Sequence, residues 1–193
     1  MKTLQQQLAQ YASYHRDRRN VATHCVGIPL IVLGLCVLLS RPVLVLGGFG
    51  LRPSLFVAAA ACVFYLLLDV PLGLSMGLLF ALALRAGAWA AARPTAHWLG
   101  LGFGAFVAGW VFQLVGHAWE GRKPAFVDDL SGLLVGPLFV VAEALFLFGL
   151  RKPLRSAVDS EAERLRSGFN AGLAASTRAQ DRCGTPTGGS GRP

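Results

Sequence analysis

The sequence predicts an all-α fold: a polytopic membrane bundle of four to five apolar segments behind an N-terminal amphipathic helix. Three observations carry this. The 193 residues are 54% hydrophobic and only 15% charged, against about 25% charge in soluble domains. Mean hydropathy is +0.53. Charge is pushed to the ends: of 18 Lys and Arg, four lie in residues 1–20 and eight in residues 151–193.

The elements follow in order. Leu4, Leu8, Tyr11 and Tyr14 or His15 recur at spacings of three and four. Residues 3–19 thus form a short amphipathic helix on the membrane surface. About 20 polar residues precede the first apolar run, so no cleavable signal peptide is expected. Apolar runs follow at residues 24–39, 54–68, 72–92, 97–116 and 130–150. A span needs about 20 apolar residues, so the first two are short and the last three adequate. Asp69-Val70-Pro71 makes a tight hairpin between the second and third. Gly73, Gly77 and Gly87 in the third run let helices approach closely. Gly100, Gly102, Gly104 and Gly109 mark the fourth as a tightly packed central helix. Residues 1–150 read as the membrane-embedded domain and 151–193 as a charged, largely disordered tail. Residues 154–170 form at most a short helix, and Gly, Pro, Ser, Thr and Arg dominate from Arg178.

The net charge of +8 does not signal nucleic acid. The basic residues are not gathered with aromatics on one face; they face anionic lipid beside the membrane. Cys25, Cys36, Cys62 and Cys183 show no CxxC spacing and read as small hydrophobes or tail residues.

Topology selects which polar groups can meet. With the basic N-terminus in the cytoplasm, the first span begins and the fourth ends at the same face. His24 and His117 therefore share that face. His97 lies 20 residues from His117, about 30 Å along a helix, and is excluded from the site. A full fifth span would place the basic tail outside, against the positive-inside tendency. Gly136-Pro137 offers a break that would return the chain. Glu143 would then approach the site; in a full span it would partner another helix.

At about 100° per residue, Gln113, His117 and Glu120 fall on one face of the fourth helix. They form half of a metal site; the stretch from Tyr14 to His24 forms the other half. His15 and His24 are nine residues apart and would face opposite ways on one helix. They share a metal only if the chain breaks between them. Asp17-Arg18-Arg19-Asn20 offers that break, with Asn20 or Thr23 capping the next helix. Three histidines with a nearby carboxylate suit Fe(II), Zn(II) or Mn(II). Glu120 would ligate, or orient His117. The Gln113 amide suits a ligand water or a substrate better than a metal. A transporter or assembly factor with a structural polar cluster, a zinc hydrolase and a haem binder are the competing classes. The gathering of polar groups at one face disfavours a transport path.

Two motifs carry a resemblance. Tyr14, His15, Asn20, His24, Gly27 and Pro29 form Y-H-x4-N-x3-H-x2-G-x-P. Trp110, Gln113, Gly116, His117, Glu120, Arg122, Lys123, Pro124 and Ala125 form a second. Together they resemble a family of small membrane proteins whose characterised fungal member is a 2-hydroxy fatty acid dioxygenase of the endoplasmic reticulum. Tyr65, Asp69, Pro71 and Gly73, with Pro137, Phe139 and Glu143, are similar to it too. The resemblance covers about residues 8–150. One spacing departs from it: only Ala118 and Trp119 separate His117 from Glu120, where three residues are expected.

The resemblance implies an Fe(II) enzyme that uses O2 to convert a 2-hydroxy fatty acid to CO2 and an acid one carbon shorter. It implies His15, His24 and His117 as metal ligands. Tyr14, Asn20, Gln113 and Glu120 would serve catalysis, and Arg19, Arg122 or Lys123 would pair with the substrate carboxylate. The acyl chain would lie in an apolar slot among the helices. The expected partners are the 2-hydroxy fatty acid, O2 and membrane lipid. Ala, Gly and Arg richness points to a GC-rich bacterial genome and an inner-membrane location; a eukaryotic source would imply the endoplasmic reticulum.

Overall fold

The computed structural model describes residues 2–15, 17–121 and 132–183, with side chains through Phe169 except that of Leu46. Its helices are α1 (Leu4–Tyr14), α2 (Arg18–Leu38), α3 (Pro53–Leu68), α4 (Val70–Ala91), α5 (Thr95–Glu120), α6 (Gly132–Leu147) and α7 (Lys152–Cys183). The chain is all-α apart from a short hairpin, β1 (Leu44–Leu46) and β2 (Phe49–Leu51). That hairpin is absent from the sequence reading. Its signal is Gly47-Gly48, both at positive φ between apolar flanks.

α2, α4 and α5 are long and apolar enough to cross a membrane. Their outward faces carry the expected apolar stripe: Leu74, Leu78 and Leu82 on α4, and Leu99, Phe103, Val107 and Val111 on α5, are all exposed. The first span is not short. It begins at Arg18, six residues before His24, and runs 21 residues. Its N-cap is Asp17, whose carboxylate accepts from the Arg19 N–H at 2.8 Å. Neither Asn20 nor Thr23 caps it.

α2 and α5 pack antiparallel along a seam with a seven-residue repeat. A Cβ on Gly27 would meet the Gly109 carbonyl at 2.7 Å, and one on Gly109 the Gly27 carbonyl at 2.6 Å. Gly34 lies as closely on Gly102 and Phe106. Gly116 lies against Asn20 and Thr23. Only backbone fits between the two helices here. Gly100 and Gly104, also expected to pack, face open space.

Asp69 closes α3 and opens α4. Its carboxylate accepts from the Leu72 N–H at 3.0 Å and pairs with Arg151 at 2.5 Å. The hairpin is thus the tight turn the sequence predicts, and Gly73 lets α4 lie against the Leu66 backbone.

α6 has 16 residues and does not reach span length. Near its start, the Leu134 carbonyl accepts from Tyr65 Oη at 2.8 Å, one turn from Asp69. Just beyond its end, Arg151 pairs with Asp69 itself. Both ends are tied to the end of the bundle that carries the hairpin, so the segment returns the chain to the face it left.

α7 runs far past residue 170, where the sequence reading stopped its helix. Val158 and Ala162 are buried in the same core as Leu4 and Leu8. Arg166 donates to the Ala12 carbonyl and Gln5 to the Ala157 carbonyl. Helix α1 therefore lies between α6 and α7, its apolar stripe covered by protein.

Candidate metal centre

The site lies where α1 ends, α2 begins and α5 ends. Helix α1 starts at a capping box, Thr3 with Gln6. It stops at His15, whose extended backbone breaks the helix. Asp17 restarts the chain as α2. The break the histidines need is present, two residues earlier than the polar turn at Asp17–Asn20, and it folds His15 back over His24.

His15, His24 and His117 are all buried, and each offers a ring nitrogen within 4.8 Å of the other two. Their ring centroids are 4.6, 4.9 and 5.3 Å apart. The tautomers follow from the partners. His15 Nδ1 is 2.7 Å from the Tyr11 carbonyl, and His24 Nδ1 is 2.8 Å from the Asn20 carbonyl. A carbonyl only accepts, so both Nδ1 atoms carry the proton. Both Nε2 atoms then hold lone pairs, and these face one another at 3.1 Å.

Two lone pairs at that distance repel unless a cation or a proton lies between them. Burial argues against the proton: it lowers the His15 pKa to about 4, with the neighbouring His117 adding to the fall and the Tyr11 carbonyl opposing it. A metal fits. Nitrogens each about 2.1 Å from one ion can lie this close, and backbone carbonyls already fix the ligand tautomers as metal sites require. His117 Nδ1 is buried with no hydrogen-bond partner.

Glu120 is not in the ligand group. Its Oε2 accepts from the Asp17 N–H at 2.8 Å and from Asn20 Nδ2 at 3.2 Å. It ties the α1–α2 link to the end of α5, and leaves His117 Nδ1 unbonded. Asn20 Oδ1 and Gln113 Nε2 are buried without partners, Gln113 one turn below His117. Arg19 stands at the exposed rim, paired with Asp17 at 2.9 Å and stacked on Trp119. Arg122 and Lys123 lie outside the described residues. His97 is exposed in the first turn of α5, at the opposite end of the bundle.

Tyr14 is half-buried at the end of α1. The aromatic ring on the cluster is Tyr11's, stacked on His15 at 4.2 Å and 12°. Phe139 backs Tyr11 at 4.9 Å. The sequence reading placed Tyr11 on the apolar stripe and assigned it no role at the site. Its spacing of four before His15 was the available signal, since it puts both on one face.

A helical membrane bundle with a buried three-histidine cluster at one end, its first histidine delivered by a broken helix, is the class that fold and site define. A family profile described as "Mpo1-like: 2-hydroxy-palmitic acid dioxygenase Mpo1-like" matches residues 1–147. The chain is 33% identical over 166 residues to the 2-hydroxy-palmitic acid dioxygenase MPO1 of Saccharomyces cerevisiae, covering 83% of this chain and 90% of that protein. This protein belongs to the Mpo1-like family. No solved structure matches it.

Proposed function

We propose that this protein is a membrane-embedded, Fe(II)-dependent dioxygenase of 2-hydroxy fatty acids. The overall conversion is R–CH(OH)–COOH + O2 → R–COOH + CO2 + H2O. The carboxyl carbon leaves as CO2, and the hydroxyl-bearing carbon becomes the new carboxyl group. The observation that carries the reading is the facing Nε2 lone pairs of His15 and His24 beside buried His117, in a chain of this family.

His15, His24 and His117 would hold the iron, which supplies the electron chemistry that lets O2 react with a closed-shell acid. The remaining roles belong to the chain. Gln113 Nε2, buried and unpartnered, donates to the substrate carboxylate. Asn20 Oδ1, in the same state, accepts from the 2-hydroxyl. Tyr11 and Phe139 cover His15 and keep bulk water off it. Glu120 keeps the His15 segment closed over His24 through Asp17 and Asn20. Arg19 at the rim, with Arg122 and Lys123, draws the carboxylate to the membrane face, and Tyr14 lines the same entrance. Residues 1–150, with the first turns of α7 seated on α1, form the catalytic unit. The bilayer is the source of the substrate. The inner-membrane assignment rests on composition alone.

Metal analysis of the purified protein, paired with O2 uptake on 2-hydroxypalmitate, tests this. We expect one iron per chain and at least a hundredfold loss of both iron and rate in His24→Ala. Metal-free protein that turns over at the full rate would falsify it.

A further inference from the structure

A second feature lies beside the histidines. An apolar cavity of about 170 Å³ runs between α2, α4 and α6, and none of its lining residues is polar. Ile28 and Leu33 of α2, Met76 and Ala83 of α4, and Pro137 and Val141 of α6 mark its length. Cavities of this size and lining stay dry and accept apolar guests.

Its near end adjoins the metal centre. Ile28 lies one turn beyond His24. A Cβ on Gly136 would stand 3.1 Å from Ile28 Cδ1 and 3.2 Å from Tyr11 Oη. The Tyr11 ring in turn stacks on His15. Only a glycine separates the wall of the polar site from the wall of the slot. The far end is marked by Leu33 and Ala83. From His24 to Leu33 is nine residues, about 13 Å along α2, close to the thickness of one hydrocarbon leaflet, about 15 Å. Pro29 and Leu79, both exposed, line its side towards the bilayer, which gives a lipid chain lateral entry.

We infer that this slot binds the acyl chain of the 2-hydroxy fatty acid, with the carboxylate and hydroxyl at the histidines and Ala83 at the depth that sets chain length. The inference rests on the dioxygenase reading for its substrate. A molecule polar at one end and apolar over about a leaflet matches a polar centre that adjoins an apolar slot of that length.

The test is Ala83→Phe, which fills the deep end, with Leu78→Phe on the outward face of the same helix as control. O2 uptake gives kcat/KM for 2-hydroxydecanoate and 2-hydroxyhexadecanoate. The new ring overpacks the deep end against the longer chain, so the long-to-short ratio falls at least about fivefold in Ala83→Phe. The short substrate is expected to keep its rate, and Leu78→Phe its ratio. Ala83→Leu, a smaller step, moves the ratio the same way by less. An unchanged ratio in a folded Ala83→Phe protein overturns the proposal. A 2-hydroxy acid bearing a diazirine near its methyl end gives a readout independent of turnover. Cross-links to the 76–83 stretch of α4 support the slot, and cross-links confined to the outward faces assign those chains to bulk lipid and reject it. A wild-type protein inert on both acids defeats the dioxygenase reading, and the cross-link still decides the slot.

Discussion

At the end of the α2–α5 pair that carries the histidines, buried Asn20 Oδ1, Gln113 Nε2 and His117 Nδ1 have no hydrogen-bond partner. At the opposite end the same two helices close differently. Trp98 Nε1 donates to the Val37 carbonyl at 2.7 Å. Ser40 Oγ reaches the carbonyls of Val37 and Gly87 at 2.6 and 2.7 Å. Among the described residues one unpartnered atom is found there, Arg41 Nη1, in a guanidinium that stacks on Trp98. An unsatisfied buried polar group costs about 1–3 kcal/mol. Three of them around one cluster, at the end of a seam otherwise closed by backbone contact, leave that end able to take a guest. The other end holds the bundle together.

Substitutions in the shared seam should damage both ends at once. Gly109→Val puts a branched side chain where the Gly27 carbonyl stands at 2.6 Å from a Cβ, and neither backbone can yield. A loss of about 3 kcal/mol is expected, seen as a much lowered melting transition in detergent together with lost metal. Retention of the wild-type melting temperature would show that the helices do not touch there.

Acid should act on the histidine end alone. In metal-free protein, burial holds His15 at about 4, against about 6.5 in the unfolded chain. Between those values the unfolded chain takes up a proton that the folded chain refuses. Stability is therefore full above pH 6.5 and falls as the pH drops towards 4, by about 3 kcal/mol from this group. Melting curves of chelator-treated protein across that window check this, and His15→Gln should flatten the slope.

The smallest effect is expected at the far end. Ser40→Ala removes one hydroxyl shared by two carbonyls, a cost of about 1 kcal/mol. The melting temperature should fall by a few degrees while metal content and O2 uptake stay unchanged. A loss of metal in this variant would mean that the two ends are coupled and the contrast between them is false.

The sequence by itself determined the all-α membrane class, the places of the apolar segments and the three histidines. Those conclusions rest on hydropathy and on helical period, which are local. The demand for a chain break between His15 and His24 was local too, since nine residues on one helix cannot share a face. Tertiary structure decided the rest. Tyr11 reads as one more stripe residue until the break at His15 turns the imidazole back onto it. Glu120 reads as a ligand or a partner of His117. Only the position of the Asp17 amide, a hundred residues away in sequence, makes it a clasp on the α1–α2 link. The start of α6 is held by Tyr65 on the Leu134 carbonyl, and the link just past its end by the Arg151–Asp69 pair, both from the α3–α4 hairpin far away in sequence. The tail was read as charged and largely disordered beyond a short helix, yet Val158 and Ala162 are buried in the same core as Leu4 and Leu8 of α1. The slot beside His24 is written on three helices, and no single segment carries its signature. Local chemistry is legible along a chain; which distant backbone completes it depends on packing, and packing is settled only when the helices meet.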